Sequence, residues 1–199
     1  RLYNVGGKKY PSVTTVLNVI GKPGIAIWQR NLSLKWIKES LQDTFRDTTC
    51  VSALADTIYN KEWMDNMISS AKNHPQTITT KSATLGTRAH EAFEDLCLGK
   101  EVEADEELLP LLQAFTTWKA QEPNLQILEV EKLVHSDKYG YAGTVDAIGV
   151  RTVGDKAGIV ILDWKTSNAL YPEYAWQASA YAKAWEELTG QPVVDALIV

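Results

Sequence analysis

The stretch Ile159-Val-Ile-Leu-Asp-Trp-Lys-Thr-Ser167 constrains the fold more than any other segment of the chain. Four apolar residues, three of them β-branched, lead straight into Asp163, which is the pattern of a buried strand with a charged pair at its far end. Side chains alternate along a strand, so Asp163 and Lys165 are expected on one face and Trp164 on the other. The segment from Tyr139 to Val150 also alternates and brings Asp146 onto a neighbouring antiparallel strand, joined through Arg151 to Gly158. Two acids and one lysine then converge at the rim of a sheet. Carboxylates buried near each other repel unless a cation lies between them. A divalent ion with oxygen ligands resolves that conflict, and Mg²⁺ is the usual one.

The rest of the pattern gives the setting. Leu2–Val5 and Lys8–Tyr10 flank Gly6-Gly7, a hairpin signal. Ser12 is a candidate N-cap for a short helix carrying Val13, Val16, Leu17 and Ile20, which Gly21 to Gly24 breaks. From Ile25 to about Arg46, Ile27, Leu34, Ile37 and Leu41 trace an apolar stripe with Trp28 and Trp36 near its edges. Helices are predicted over Val51–Tyr59 and Lys61–Lys72, the latter ending before His74-Pro75. Another follows from near Ile78 to Leu98, and one more over Leu108–Ala120. Leu125 to Val134 alternates and opens the sheet. Tyr171-Pro172-Glu173 starts a helix that runs to about Leu188, and Val193 to Val199 is a last strand. The expectation is an α/β (α+β) chain of one domain over 1–199, with a hairpin and helices over 1–120 and a β-β-β-α-β core over 121–199.

Composition narrows the function. No apolar run approaches membrane-spanning length, so no membrane is implied. Cys50 and Cys97 are too few for a disulfide framework, and two cysteines cannot ligate an iron–sulfur cluster that needs four. The net charge is −5, yet residues 1–46 hold eight cations against only Glu39 and Asp43, a local +6 that leaves −11 for the remainder. Phosphates meet local charge, so a basic head on an acidic body is compatible with nucleic acid. The helix bearing Arg30, Lys35 and Lys38 is expected beside the active-site cleft as a track for a phosphate chain, with the Lys8-Lys9 hairpin nearby.

The Asp146 … Asp163-Trp-Lys165 pattern resembles the PD-(D/E)XK nuclease superfamily. Gly143-Thr-Val-Asp146 followed by Leu162-Asp-Trp-Lys-Thr166 resembles its RecB-like branch, as do Gln177-Ala-Ser-Ala-Tyr181 and the helical Gly86-Thr-Arg-Ala-His90. The opening Arg1-Leu-Tyr … Tyr10-Pro-Ser-Val-Thr-Thr-Val-Leu17 is similar to the start of mitochondrial genome maintenance exonucleases and related phage-type exonucleases. The resemblance implies a restriction-endonuclease-like core: a mixed sheet flanked by helices. It implies a monomeric, intracellular exonuclease that hydrolyses DNA from single-stranded ends. Its compartment would be a bacterial or phage-infected cytoplasm, or the mitochondrion if a transit peptide preceded Arg1. It further implies Mg²⁺ or Mn²⁺ held by Asp146, Asp163 and His90 with the Trp164 carbonyl, Lys165 as the catalytic cation, and DNA contacts from Gln177, Tyr181, Thr166 and Ser167.

Each of these residues also has a plainer reading. Asp163 with Lys165 alone would be a surface ion pair of little worth, but Asp146 in a Gly-Thr-x-Asp turn favours a site. Glu131 is either a further acid of the catalytic set or an exposed strand residue. Glu129 shares its parity, and only the family's usual acid position selects Glu131. His90 could be a satisfied helix histidine, although Gly86 permits close approach of another backbone and Glu94 stands one turn on. Gln177 and Tyr181 could serve helix packing, and His74 and His135 read as structural. Two further functions remain compatible: a structure-selective endonuclease, and a DNA-binding module with a decayed nuclease site. Against the last, every motif residue is present.

Overall fold

The computed structural model describes residues 1–48, 50–153 and 155–199. In chain order the elements are β1 (Leu2–Val5), β2 (Lys8–Pro11), α1 (Val13–Leu17), α2 (Pro23–Asp47), α3 (Val51–Tyr59) and α4 (Lys61–Cys97), followed by α5 (Leu109–Gln121), β3 (Leu125–Ser136), β4 (Tyr141–Val153), β5 (Lys156–Asp163), α6 (Pro172–Thr189) and β6 (Val193–Ile198). The chain is mixed α/β and packs as two compact units. One comprises Arg1–Ile20 with Leu85–Val199, and the other Gly21–Thr84. The division does not fall near residue 120: the hairpin, α1, the last part of α4 and α5 all belong with the sheet.

In the first unit a four-stranded sheet has the order β3-β4-β5-β6. β3, β4 and β5 are antiparallel neighbours, and β6 returns parallel to β5, which the helical crossover through α6 makes possible. The β4–β5 connection is shorter than the span Arg151 to Gly158 expected for it, because β4 reaches Val153 and β5 starts at Lys156; Gly154 within it lies outside the described residues.

Alternation along β5 divides the core. Val160 and Leu162 pack with Ala89, Phe93, Leu112, Phe115 and Trp164, whereas Ile161 packs with Val13, Tyr181, Ala184 and Trp185. The two neighbouring strands do not keep their faces. Ala147 lies in the first cluster, and two residues earlier Val145 lies in the second. Likewise Val130 packs on the first and Val134 belongs to the second. Residues two or four apart on a regular strand share a face, so β4 exchanges faces across Asp146 and β3 across Glu131. Glu131 is the one non-glycine residue with positive φ among those described, at 48°.

The N-terminal hairpin is joined to this sheet. Its turn places Gly6 and Gly7 at φ 58° and 82°, which suits the paired left-handed conformations of a tight hairpin. Ser12 caps α1 by accepting from the Thr15 N–H and forms an isolated bridge with Ala142 on β4. Tyr10 OH and Lys8 Nζ both bind Asp137, at 2.5 and 2.7 Å.

In the second unit the expected helix end before His74-Pro75 does not occur: α4 continues through Pro75 for 37 residues. Proline lacks the N–H that would bond the carbonyl four residues earlier. That carbonyl belongs to Ala71, and the Ser33 hydroxyl of α2 donates to it at 2.8 Å. Another helix thus supplies the missing donor, and Pro75 is buried. The apolar stripe of α2 is only half covered: Ile37 and Leu41 are partly buried, whereas Ile27 and Leu34 are exposed. No helix among the described residues is long and apolar enough to cross a membrane.

Candidate active site

β5 ends at Asp163, and backbone pairing with the residue after β6 continues past it. The Val199 N–H donates to the Asp163 carbonyl at 3.1 Å, and the Lys165 N–H donates to the Val199 carbonyl at 2.7 Å. Three successive residues are pinned by this end of the ladder. Trp164 turns into the aromatic cluster, edge-on to Phe115 at 5.2 Å and to Trp118 at 5.8 Å between ring centroids. Asp163 and Lys165 turn the other way, into a cavity of about 570 Å³.

That cavity belongs wholly to the first unit and is lined by Asp146, Asp163, Lys165, His90, Glu131, Gln177 and Tyr181, among others. The Trp164 N–H donates to Asp146 Oδ2 at 2.7 Å, so the backbone of the Lys strand fixes the carboxylate of the next strand. The other Asp146 oxygen stands 3.4 Å from His90 Nδ1. Lys165 Nζ lies 2.5 Å from Asp163 Oδ2. This ion pair gives the buried carboxylate oxygen a close cationic partner. Asp163 is 1% exposed. Burial pushes its carboxyl up to about 6, with Lys165 opposing and Asp146 adding to the rise.

Glu131 and Glu129 separate clearly. Glu131 faces the cavity, where desolvation first, and then the charges of Asp146 and Glu94, raise its carboxyl above the ordinary range while His90 opposes. Glu129 instead pairs with Lys132 at 2.5 Å. Parity could not distinguish them; the ion pair of Glu129 with Lys132 does.

On α6, Gln177 Nε2 donates to Tyr181 OH at 2.9 Å, and the buried Tyr181 ring lies over Gly143. A Cβ at Gly143 would stand 2.4 Å from the Tyr181 ring, so glycine there is required by the ring. Gly86 has the same function more mildly, its absent Cβ being 3.2 Å from Thr166 Oγ1. Thr166 and Ser167 do not line the cavity; the Ser167 hydroxyl donates to the Ala169 carbonyl at 2.8 Å.

Arg30, Lys35 and Lys38 lie on α2, in the second unit. Lys35 is 3.7 Å from Glu39, and Arg46 is 3.4 Å from Asp43, so part of the head's charge is locally compensated.

The sequence pattern overlooked part of the wall. Arg1, Tyr3, Ser12 and Thr14 contribute from the hairpin and α1, and Thr87 and Glu91 from α4, beside the Glu94 noted one turn from His90. Thr87, His90, Glu91 and Glu94 stand at i, i+3, i+4 and i+7, which is one helix face. That spacing was available, and the hairpin was expected near the cleft through Lys8 and Lys9; Arg1 and Tyr3 line the cavity instead, with the Tyr3 OH 3.2 Å from Thr144 Oγ1.

A hard divalent cation matches the donor chemistry: the carboxylates of Asp146 and Asp163 and the imidazole of His90 face one cavity, with Glu131, Glu91 and Glu94 also in its wall. Among the described residues no group of three or more His, Cys, Asp or Glu side chains is arranged to hold a metal ion. No family model matches the chain, and no curated protein matches it significantly.

Proposed function

We propose that this chain is a metal-dependent DNA exonuclease with a restriction-endonuclease-like core of the RecB-like PD-(D/E)XK kind, acting by preference on single-stranded ends. One observation carries the reading. Asp146, Asp163 and Lys165 converge with His90 and Glu131 on a single cavity at the end of a β-β-β-α-β sheet.

Asp146, Asp163 and His90, with the Trp164 carbonyl, are the groups that would hold Mg²⁺ or Mn²⁺, which supplies Lewis-acid activation of the phosphoryl group and of a water. The chain's own groups do the rest. Asp146 is held in place by the Trp164 N–H and so presents its second oxygen in a fixed direction. Lys165, anchored on Asp163, brings a positive charge to the phosphoryl oxygens, where negative charge develops. Glu131, its carboxyl raised, is suited to accept the proton of the attacking water. Gln177 and Tyr181 form the floor against which the backbone of the strand rests. Lys and Arg of α2 supply phosphate contacts that do not depend on base sequence.

Digestion of end-labelled single- and double-stranded oligonucleotides, with each end blocked in turn, tests the reading. Shortening of single strands from a free end in Mg²⁺, and none in EDTA, is expected. Intact substrates in both Mg²⁺ and Mn²⁺ would overturn it, and cleavage of a closed single-stranded circle would make the enzyme an endonuclease instead.

A further inference from the structure

We propose that Tyr171 and Tyr174 form a stacking platform for the unpaired base of the nucleotide next to the scissile phosphate, an inference that rests on the nuclease reading above. Tyr174, Gln177 and Tyr181 stand three and four residues apart on α6 and therefore share one helix face. Gln177 and Tyr181 line the cavity, and Tyr174 extends their row toward the start of the helix. The Lys165 ammonium lies over the Tyr174 ring, 5.1 Å from its centroid. Tyr171 meets Tyr174 edge-on, at 5.5 Å and 87°, and is 44% exposed; the preceding Leu170 is 78% exposed.

Packing accounts poorly for such a pair. A ring that merely filled the core would be covered, whereas Tyr171 presents its surface to solvent one residue before a helix, and its side chain makes no capping hydrogen bond. The place of its partner Tyr174 beside Lys165 gives the pair a use. A phosphate held at Lys165 brings the adjoining base within reach of the two rings. Stacking on an aromatic ring tolerates any base, because every base has a π face, and it requires a base that is free of its duplex neighbours. The platform thereby selects single strands at the site of cleavage itself, independently of the cations on α2.

The test compares the parent with Tyr171→Ala and Tyr171→Phe, on single-stranded oligonucleotides that are intact or abasic at the nucleotides flanking the first scissile bond. Stacking predicts that Tyr171→Ala raises KM for intact DNA about tenfold, that an abasic substrate does the same to the parent, and that the two changes together add little more. Tyr171→Phe should keep the parental KM. The parent's response to the abasic substrate needs no variant, so it remains decisive if an alanine substitution unfolds the chain. Effects that multiply, or a KM indifferent to both changes in an enzyme that still cuts DNA, would overturn the platform alone. A parent that cuts no DNA would overturn the nuclease reading and the platform with it.

Discussion

Trp164 and its two neighbours occupy opposite faces of one strand end, and the two faces are built on opposite terms. On one face, Trp164 is 1% exposed among Phe93, Phe115 and Trp118. Every contact there is apolar and favourable at any pH. On the other, Asp163 is equally buried, with a lysine at 2.5 Å and a second carboxylate nearby. One residue of backbone separates a source of stability from a drain on it. The apolar face holds the strand rigidly enough for the charged face to be kept in an arrangement that it would not adopt unaided.

The largest expected effect is on chemistry. Asp163→Asn should lower cleavage of a single-stranded oligonucleotide about a thousandfold or more while the circular dichroism spectrum stays parental. Near-normal turnover would show that the charged face is not the active site. Next in size, Trp164→Ala should cost about 3–5 kcal/mol of folding stability, as the loss of a buried aromatic does, measured by urea unfolding. A cost below about 1 kcal/mol would mean that the aromatic cluster does not carry the strand.

The same Asp163→Asn variant sharpens the comparison through pH. The folded carboxyl titrates near 6, above its ordinary value of 3.8, so between those values the folded chain binds more protons than the unfolded one. Parental stability is therefore intact below about pH 4 and declines as pH rises through 6, by about 3 kcal/mol in all. Asn carries no such penalty. In metal-free buffer the variant should match the parent near pH 4 and become the more stable of the two above pH 6. A difference that did not change with pH would remove the buried charge from the account.

Smaller effects lie at the edges. His90→Ala should raise the metal concentration needed for activity, with partial rescue by Mn²⁺, which accepts nitrogen ligands more readily; an unchanged titration would return His90 to a structural role. Replacing Arg30, Lys35 and Lys38 together by Gln should flatten log K against log [salt] for single-stranded DNA by about 0.7 for each phosphate that is no longer neutralised. A slope equal to the parent's would place the phosphate track elsewhere.

Much of this was legible in the residues. Alternation around Asp163 predicted the face division, Gly6-Gly7 the hairpin, Ser12 the cap, and the order of elements the β-β-β-α-β run. What was missed depended on partners distant in sequence. Pro75 reads as a helix stop because nothing near it can replace its N–H; Ser33, 38 residues from Ala71, does so. The apolar stripe of α2 is half exposed, and periodicity could not show this because it reports a face without reporting what lies against it. Glu131 and Glu129 share parity, so alternation alone could not separate them; the pairing of Glu129 with Lys132 does, and the exchange of faces on β3 and β4 is an irregularity that no residue type announces. Glu131 is not a glycine, so its left-handed conformation left no trace in composition.

That conformation sets the mutational tolerance of the region. A non-glycine residue at φ 48° carries a backbone penalty of about 1 kcal/mol or more, which Gly would not. A sequence selected for stability alone would place Gly at 131, and would thereby delete a carboxylate from the cavity. Substitution and length change also act differently here. Exchanging the side chain alters one group, whereas removing residue 131, or adding one beside it, shifts the register of every residue of β3 beyond it and turns Val134 toward the wrong cluster. The site should accordingly accept amino-acid replacement on β3 far more readily than a single-residue insertion or deletion.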